Sequence, residues 1–400
     1  MGFTRNLVLR QNRHDQYDAG GEVAIAQPKA APGETTYYFI GYPCWLFKHY
    51  APSIYHALGQ RVSAVITDSF AIDHSHLTLH GHPVPLITLA EFNERAKRGP
   101  TEVIFFFEHN EQFWVIPQLE SFGKVTVRDY LYMLDRFGLS HTYLPLREER
   151  KWWAAQSIEK IREVSKRLGD ERSRRTLAAR IETITSGNRR TLMEVRVSGE
   201  YEYFNSSWHM GSLVPRKDEI YVDVGAAHGD TVDKFVKVTN GNFSAIHAFE
   251  PTPGQFRELA TRSQIDPRIH TYRKAVGEKT GMLTFFDNLS HPLGGNAISP
   301  GEGSECIDVE CVRLDDAIET CSLIKMDVEG FETKVLSGAR RLISQCVPDL
   351  AITCYHYPQD LFEILDCVES IHKYRSVALR HYGPTILDSI LLFSDRQSFD

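Results

Sequence analysis

Residues 221–231 read YVDVGAAHGDT and residues 246–251 read IHAFEP, and these two stretches constrain the chain more than any others. The run 220–224 is apolar and β-branched apart from Asp223, as a parallel strand covered on both faces must be. Gly225 and Gly229 let the backbone turn sharply after it, and Val232, Phe235 and Val236 then lie on one helical stripe. The next strand ends at Glu250, where a carboxylate can accept the hydroxyls of a ribose. Strand, glycine turn, helix and acidic strand end together specify an open α/β sheet that grips an adenosine.

Spacing separates the cofactors such a sheet can hold. A dinucleotide fold shows G-x-G-x-x-G, which sets a pyrophosphate against a bare helix N-terminus. Here the spacing is G-x-x-x-G with Asp223 ahead of it. A carboxylate in that place repels a pyrophosphate and suits the ammonium of S-adenosylmethionine. Asp223, Gly225, Ala226, Gly229, Thr231, Glu250 and Pro251 are therefore the candidate donor-binding residues. A glycine turn after a buried strand also serves tight packing alone, and a nicotinamide dinucleotide would use the same Glu250.

Residues 323–336 read LIKMDVEGFETKVL and residues 355–361 read YHYPQDL. With the glycine turn, FEP at 249–251, the upstream Tyr203-Phe204 and the terminal LRHYGPTILDSILLF, they occur in an order that resembles the FkbM family of S-adenosylmethionine-dependent methyltransferases. The resemblance runs from about Asp170 to the C-terminus. It implies a class I methyltransferase fold, Rossmann-like with a seven-stranded, mostly parallel sheet. It also implies methyl transfer to an oxygen of a small, sugar-like or secondary-metabolite acceptor, with Ala275 and Val276 near the adenine. Cys354 departs from the family pattern, standing where relatives often carry an acidic residue, which shifts weight to His356.

In an open α/β sheet the ligand lies beyond the carboxyl ends of the strands, so strands ending at Asp327 and at Tyr355-His356 face the methyl donor and bring Asp327, Glu329 and His356 together as catalytic candidates, with Asp327 also a donor-binding candidate. O-methylation needs the acceptor hydroxyl deprotonated during attack, and a histidine or a desolvated carboxylate can take that proton. His356 is the first expectation for this base and Asp327 the second. Glu329 and Glu332 also open a helical stretch, 331–344, where carboxylates suit the helix dipole without chemistry. The oxygen and imidazole groups of Asp327, Glu329 and His356 would suit several divalent ions; no metal is assigned. The polar, glycine-rich segment 289–305 reads as a lid over the acceptor or as an idle surface loop.

With 45 basic against 52 acidic residues and a net charge of -7, broad capture of nucleic acid is not expected. No apolar run approaches the roughly 18–20 residues of a membrane span, and the N-terminus lacks the apolar core of a secretory signal, so no membrane partner and a cytoplasmic location are expected. Seven scattered cysteines without a C-x-x-C pair argue against a disulfide framework or zinc site.

Texture divides the chain into a flexible arm (1–35), a small Rossmann-like α/β domain (36–147), a helical connector (148–200) and the methyltransferase-like part (201–400). The small domain's first turn, Gly41-Tyr42-Pro43-Cys44-Trp45, has no phosphate fingerprint. It reads as a structural or homo-oligomerising domain, or as a substrate-recognition domain using Asp68, His80, His82 and Glu108-His109. His80 and His82 are expected on one strand face. Between Arg147 and Arg190 basic residues outnumber acidic ones, and Trp152, Ile158, Ile161, Val164 and Leu168 recur at helical spacing. One face is expected to pack with the charges in water, and Gly169-Asp170 to stop one helix and cap the next. A NAD-dependent oxidoreductase and a non-catalytic binding protein remain the rival classes.

Overall fold

The computed structural model describes residues 34–67, 75–141, 144–207, 211–287 and 305–399. The expected N-terminal arm up to residue 33, the 289–305 segment up to 304 and Asp68 lie outside them. Contacts divide the chain into two units, one ending at Phe107 and resuming over Gln112–Met133, the other comprising Glu108–Glu111 and Leu134–Asp400.

The first unit is built on a six-stranded sheet. Its strands are β1 (Thr36–Ile40), β2 (Val62–Ile66), β3 (His76–Leu79), β4 (His82–Ile87), β5 (Thr101–Phe105) and β6 (Val125–Asp129), in the order β3-β4-β2-β1-β5-β6. All pairs are parallel except β3-β4. The segment 76–87 is therefore a hairpin rather than one strand. His80, at φ 48°, and Gly81 form its turn, so His80 and His82 do not share a strand face.

In the second unit seven strands form the main sheet: β7 (Ile220–Val224), β8 (Ala245–Phe249), β9 (Ile269–Tyr272), and, past a small sheet of β10 (Ala275–Val276), β11 (Gly281–Asp287) and β12 (Glu305–Val312), β13 (Leu323–Met326), β14 (Asp349–Thr353), β15 (Ser376–His381) and β16 (Ser389–Ser394). The main order is β15-β16-β14-β13-β7-β8-β9. β16 runs antiparallel to both its neighbours and the other pairings are parallel. The chain moves outward from β7 through β8 to β9, then returns to lay β13 on the other side of β7. The topological switch thus falls between the ends of β7 and β13, where open α/β sheets bind ligands. One face of the sheet is closed by Tyr221, Phe235, Phe204 and Leu259, all fully buried.

The basic tract differs from its expected form. It is broken at Ser157 between helices Arg147–Gln156 and Ile158–Arg167, so the apolar stripe does not continue through Trp152. Val164 and Leu168 are buried, while Trp152 and Ile158 are about half exposed. Nor do all its charges face water, because Arg150, Arg180 and Arg189 are each at most 3% exposed. Arg150 forks onto Asp135 at 2.6 and 2.7 Å, Arg180 donates to the Ile386 carbonyl, and Arg189 donates to that of Pro384 at 2.9 Å. Arginine suits such places because its planar fork spreads charge over several donors. Asp170 does cap the helix Glu171–Ser186, accepting from the Ser173 amide at 2.8 Å, and also pairs with the buried Arg380 of β15.

Candidate functional site

The switch point is assembled by close backbone contact. Gly225, at φ 79°, follows β7, and a Cβ built on it would lie 1.8 Å from the carbonyl oxygen of Asp327, just past β13. Only glycine permits both the conformation and the approach. The Gly225 and Ala226 amides donate to the Phe249 carbonyl at 3.0 Å, tying the turn to the end of β8. There Glu250 is 5% exposed and accepts from the Ala227 amide at 3.0 Å, the Thr252 amide at 2.8 Å and the Thr252 hydroxyl. Burial raises its pKa, and these hydrogen bonds oppose the rise. A carboxylate has about four acceptor positions, so one remains for a ligand hydroxyl. Pro251 precedes the next helix, which opens at Pro253.

Asp223 is fully buried, and no hydrogen bond reaches its Oδ1 among the described residues. Oδ1 lies 3.1 Å from the Lys325 ammonium and Oδ2 accepts from the Thr231 hydroxyl. Lys325 also donates to the Gly225 carbonyl at 2.6 Å. Burial works against the Lys325 charge, but Asp223 and Asp327 outweigh it and hold its pKa above the ordinary value. In this geometry Asp223 ties the turn to β13 through Lys325 and to the following helix through Thr231. Sequence reasoning passed over Lys325, although one charged residue within the buried strand LIKM was the available signal.

Asp327, Glu329 and His356 are brought together as expected from the strand ends, with Glu332 added. The His356 Nε2 lies 3.3 Å from Glu329 and 3.9 Å from Asp327, and its Nδ1 lies 3.3 Å from Glu332. The ring is 3% exposed. Burial disfavours its charge, yet Glu332 and Glu329 hold its pKa well above the usual histidine value. Carboxylates facing both ring nitrogens thus favour the charged form of His356. Glu332 Oε1 accepts from the Val328 and Gly330 amides at 3.2 and 3.4 Å and from the Thr353 hydroxyl at 3.2 Å. Its place is thus inside this lattice, beyond the dipole role read from sequence. Asp327, Glu332 and His356 bring ligand atoms within 4.8 Å of one another. The hydrogen bonds on Glu332 and the charge on His356 already account for that closeness.

The two open carboxylates differ. Asp327, 25% exposed at its side chain, accepts from Tyr355 at 2.9 Å, Thr353 at 3.2 Å and Tyr203 at 3.2 Å. Glu329, 22% exposed, has His356 as its one ion-pair partner among the described residues and sits at φ 54°. Burial lifts its pKa, His356 opposes, and Asp327 and Glu332 add to the rise. A non-glycine residue held at such a φ is a strain that surrounding structure must enforce, and such strain concentrates at working sites.

Ala275 and Val276 lie buried in β10, pairing with Cys311 and Val312. Residues 223–381, from Asp223 to His381, match the family model described as the Methyltransferase FkbM domain. Over that segment, less than half of its length, the chain is similar to the FkbM methyltransferase domain. The 2-O-methyltransferase NoeI of Sinorhizobium fredii (strain NBRC 101917 / NGR234) is 25% identical over 154 residues, which are 34% of this chain and 63% of that protein. The match thus spans less than two thirds of that relative. The crystal structure of methyltransferase FkbM from Methylobacillus flagellatus KT aligns with a TM-score of 0.68 over 90% of each chain at 23% identity, which shows a shared α/β fold. Among the described residues no helix is long and apolar enough to cross a membrane.

Proposed function

We propose that the FkbM domain transfers a methyl group from S-adenosylmethionine to an oxygen of a small, sugar-like or secondary-metabolite acceptor. The observation that carries this reading is the contact of Gly225 with Asp327 at the switch point, with Glu250 closing the far side of the turn. The site suits a cation: Asp223, Glu250, Asp327, Glu329 and Glu332 stand against Lys325 and His356. Glu250 would hold the ribose, the turn 225–229 would lie along the amino-acid end, and Ala275 and Val276 would flank the adenine. The bound donor supplies an electrophilic methyl on a sulfonium, and its 2-O-methylating relative makes oxygen the favoured acceptor atom.

Glu329 is the group to take the acceptor's proton. Its lone pairs are less engaged than those of Asp327, its raised pKa favours proton uptake, and His356 behind it balances the negative charge. Asp327, held by three hydroxyls, orients the acceptor. Isothermal titration with S-adenosylhomocysteine tests the donor reading: micromolar or tighter binding that Glu250→Ala weakens at least several-fold is expected. Binding of NAD in its place would overturn it. With a methyl-accepting substrate in hand, Glu329→Gln is expected to keep homocysteine-product affinity and lose turnover about 100-fold or more.

A further inference from the structure

Three exposed histidines of the first unit take no part in the assignments above: His56 in the last turn of the helix Trp45–Leu58, and His80 and His82 on either side of Gly81. The hairpin turn that parts His80 from His82 hands His80 to His56. His80 and Gly81 both have positive φ, 48° and 74°, as the two central residues of a mirror-image hairpin turn must. Asparagine or glycine takes that conformation more readily than most residues. Held there, the His80 ring has its centre 5.0 Å from that of His56, the two planes tilted by 40°. A histidine at a helix C-terminus suits the helix dipole, which explains His56 but not the histidine that faces it from the turn.

The separation of the rings has a chemical meaning. A zinc ion lies about 2.0–2.1 Å from an imidazole nitrogen and therefore about 3.2 Å from the ring centre. Two imidazoles on one ion, at angles between square and tetrahedral, then stand about 4.5–5.2 Å apart. The His56–His80 pair falls inside that span. Among the described residues neither joins two further ligand atoms within 4.8 Å, the one such group being Asp327, Glu332 and His356. An ion held by the pair would thus keep open positions for water.

We propose that His56 and His80 form a two-histidine site for a late divalent transition-metal ion, zinc or copper, which fastens the β3–β4 hairpin to the helix Trp45–Leu58. The fold gives such a fastening work to do. β3 is the edge strand, and β4 pairs with β2 only at Val65–Leu86 and Ile66–Ile87, at the end of β4 away from the turn. The ion would hold the other end. Imidazole ligands suit zinc and copper, whereas magnesium takes oxygen ligands.

Calorimetry on the full chain with zinc chloride, at about pH 7.5 and so above the ordinary histidine value of about 6.5, tests the site. One ion per chain is expected. H56A and H80N should each weaken binding by at least about 10-fold, and the double variant should be little worse than either, because losing one arm already loses the chelate. Asparagine keeps the turn and alanine keeps the helix, so loss of binding is separable from loss of fold. His82 lies beside Tyr55, 6.3 Å between ring centres, and H82A should bind as the wild type does. Copper should bind more tightly than zinc, and magnesium should not bind. Amide exchange over residues 77–84 should slow when zinc is added to the wild type and stay unchanged in H80N. Wild-type affinity in H56A or H80N, no binding by the wild type, or binding abolished by His356→Leu in place of these variants would each overturn the assignment.

Discussion

Replacing Gly225 with alanine tests the switch point most directly. The added Cβ would sit 1.8 Å from the Asp327 carbonyl oxygen and 2.9 Å from its carbonyl carbon, both backbone atoms. Ordinary contact requires more than 3.4 Å, so the end of β13 or the turn must retreat by about 1.5 Å. The φ of 79° adds about 1–2 kcal/mol for a residue with a Cβ, and overpacking adds about 1–3 kcal/mol. Together these give about 2–5 kcal/mol, at about 2–4 °C of Tm per kcal/mol for a unit of this size. The functional loss should be larger in proportion, because a displacement of about 1 Å at a positioned site costs on the order of 100-fold. Thermal melts and S-adenosylhomocysteine titration would read both. Two controls set the scale: Gly229→Ala meets the flexible Arg262 side chain at 3.0 Å and should cost less, and Gly254→Ala meets nothing within 4 Å and should be silent. If Gly225→Ala melted and bound like Gly254→Ala, the close approach of β7 and β13 would not shape the site as argued.

His356, whose pKa is raised by folding, stabilises fully below its unfolded value of about 6.5, and that contribution is lost as pH rises through the folded value. The stability gap between wild type and His356→Leu, from urea melts, should therefore narrow from pH 6 towards alkaline pH; a gap that widened would contradict the sign. Breaking the buried Arg380–Asp170 pair with Asp170→Ala should cost about 3–5 kcal/mol in denaturant melts, and Asp170→Leu with Arg380→Met should recover much of it. Lys325→Met should weaken S-adenosylhomocysteine binding by about 10-fold or more through loss of the turn's internal cation, with Lys325→Arg partly restoring it; wild-type affinity in the methionine variant would refute that role.

The parts of the site legible in sequence were those carried by local pattern. A β-branched run, two glycines at fixed spacing and an acidic strand end placed Asp223, Gly225 and Glu250 on the elements where the structure has them. What pattern could not give was which partner each charge finds. Asp223 reads as a free carboxylate until β13 brings Lys325 beside it, 102 positions later in register with it. His356 reads as a neutral base until Glu329 and Glu332, from a different segment, meet both its nitrogens. The basic tract reads as solvated because nothing local says that Arg180 and Arg189 find carbonyls at Ile386 and Pro384. These long-range pairings convert apparent surface charge into interior charge, and only tertiary proximity records them.

Those arginines bear on where the catalytic half can be cut. The family-matched segment is 223–381, yet three cation contacts join the helices before it to the last hairpin of the sheet. A fragment beginning at the matched segment, or at residue 201, would present Arg380 without Asp170 and a 382–388 loop without its two guanidinium donors. Recombination or expression boundaries drawn by homology alone would thus fall inside a cooperative unit. The second unit's long run to the C-terminus begins at Leu134, so the helices that carry these arginines lie inside it.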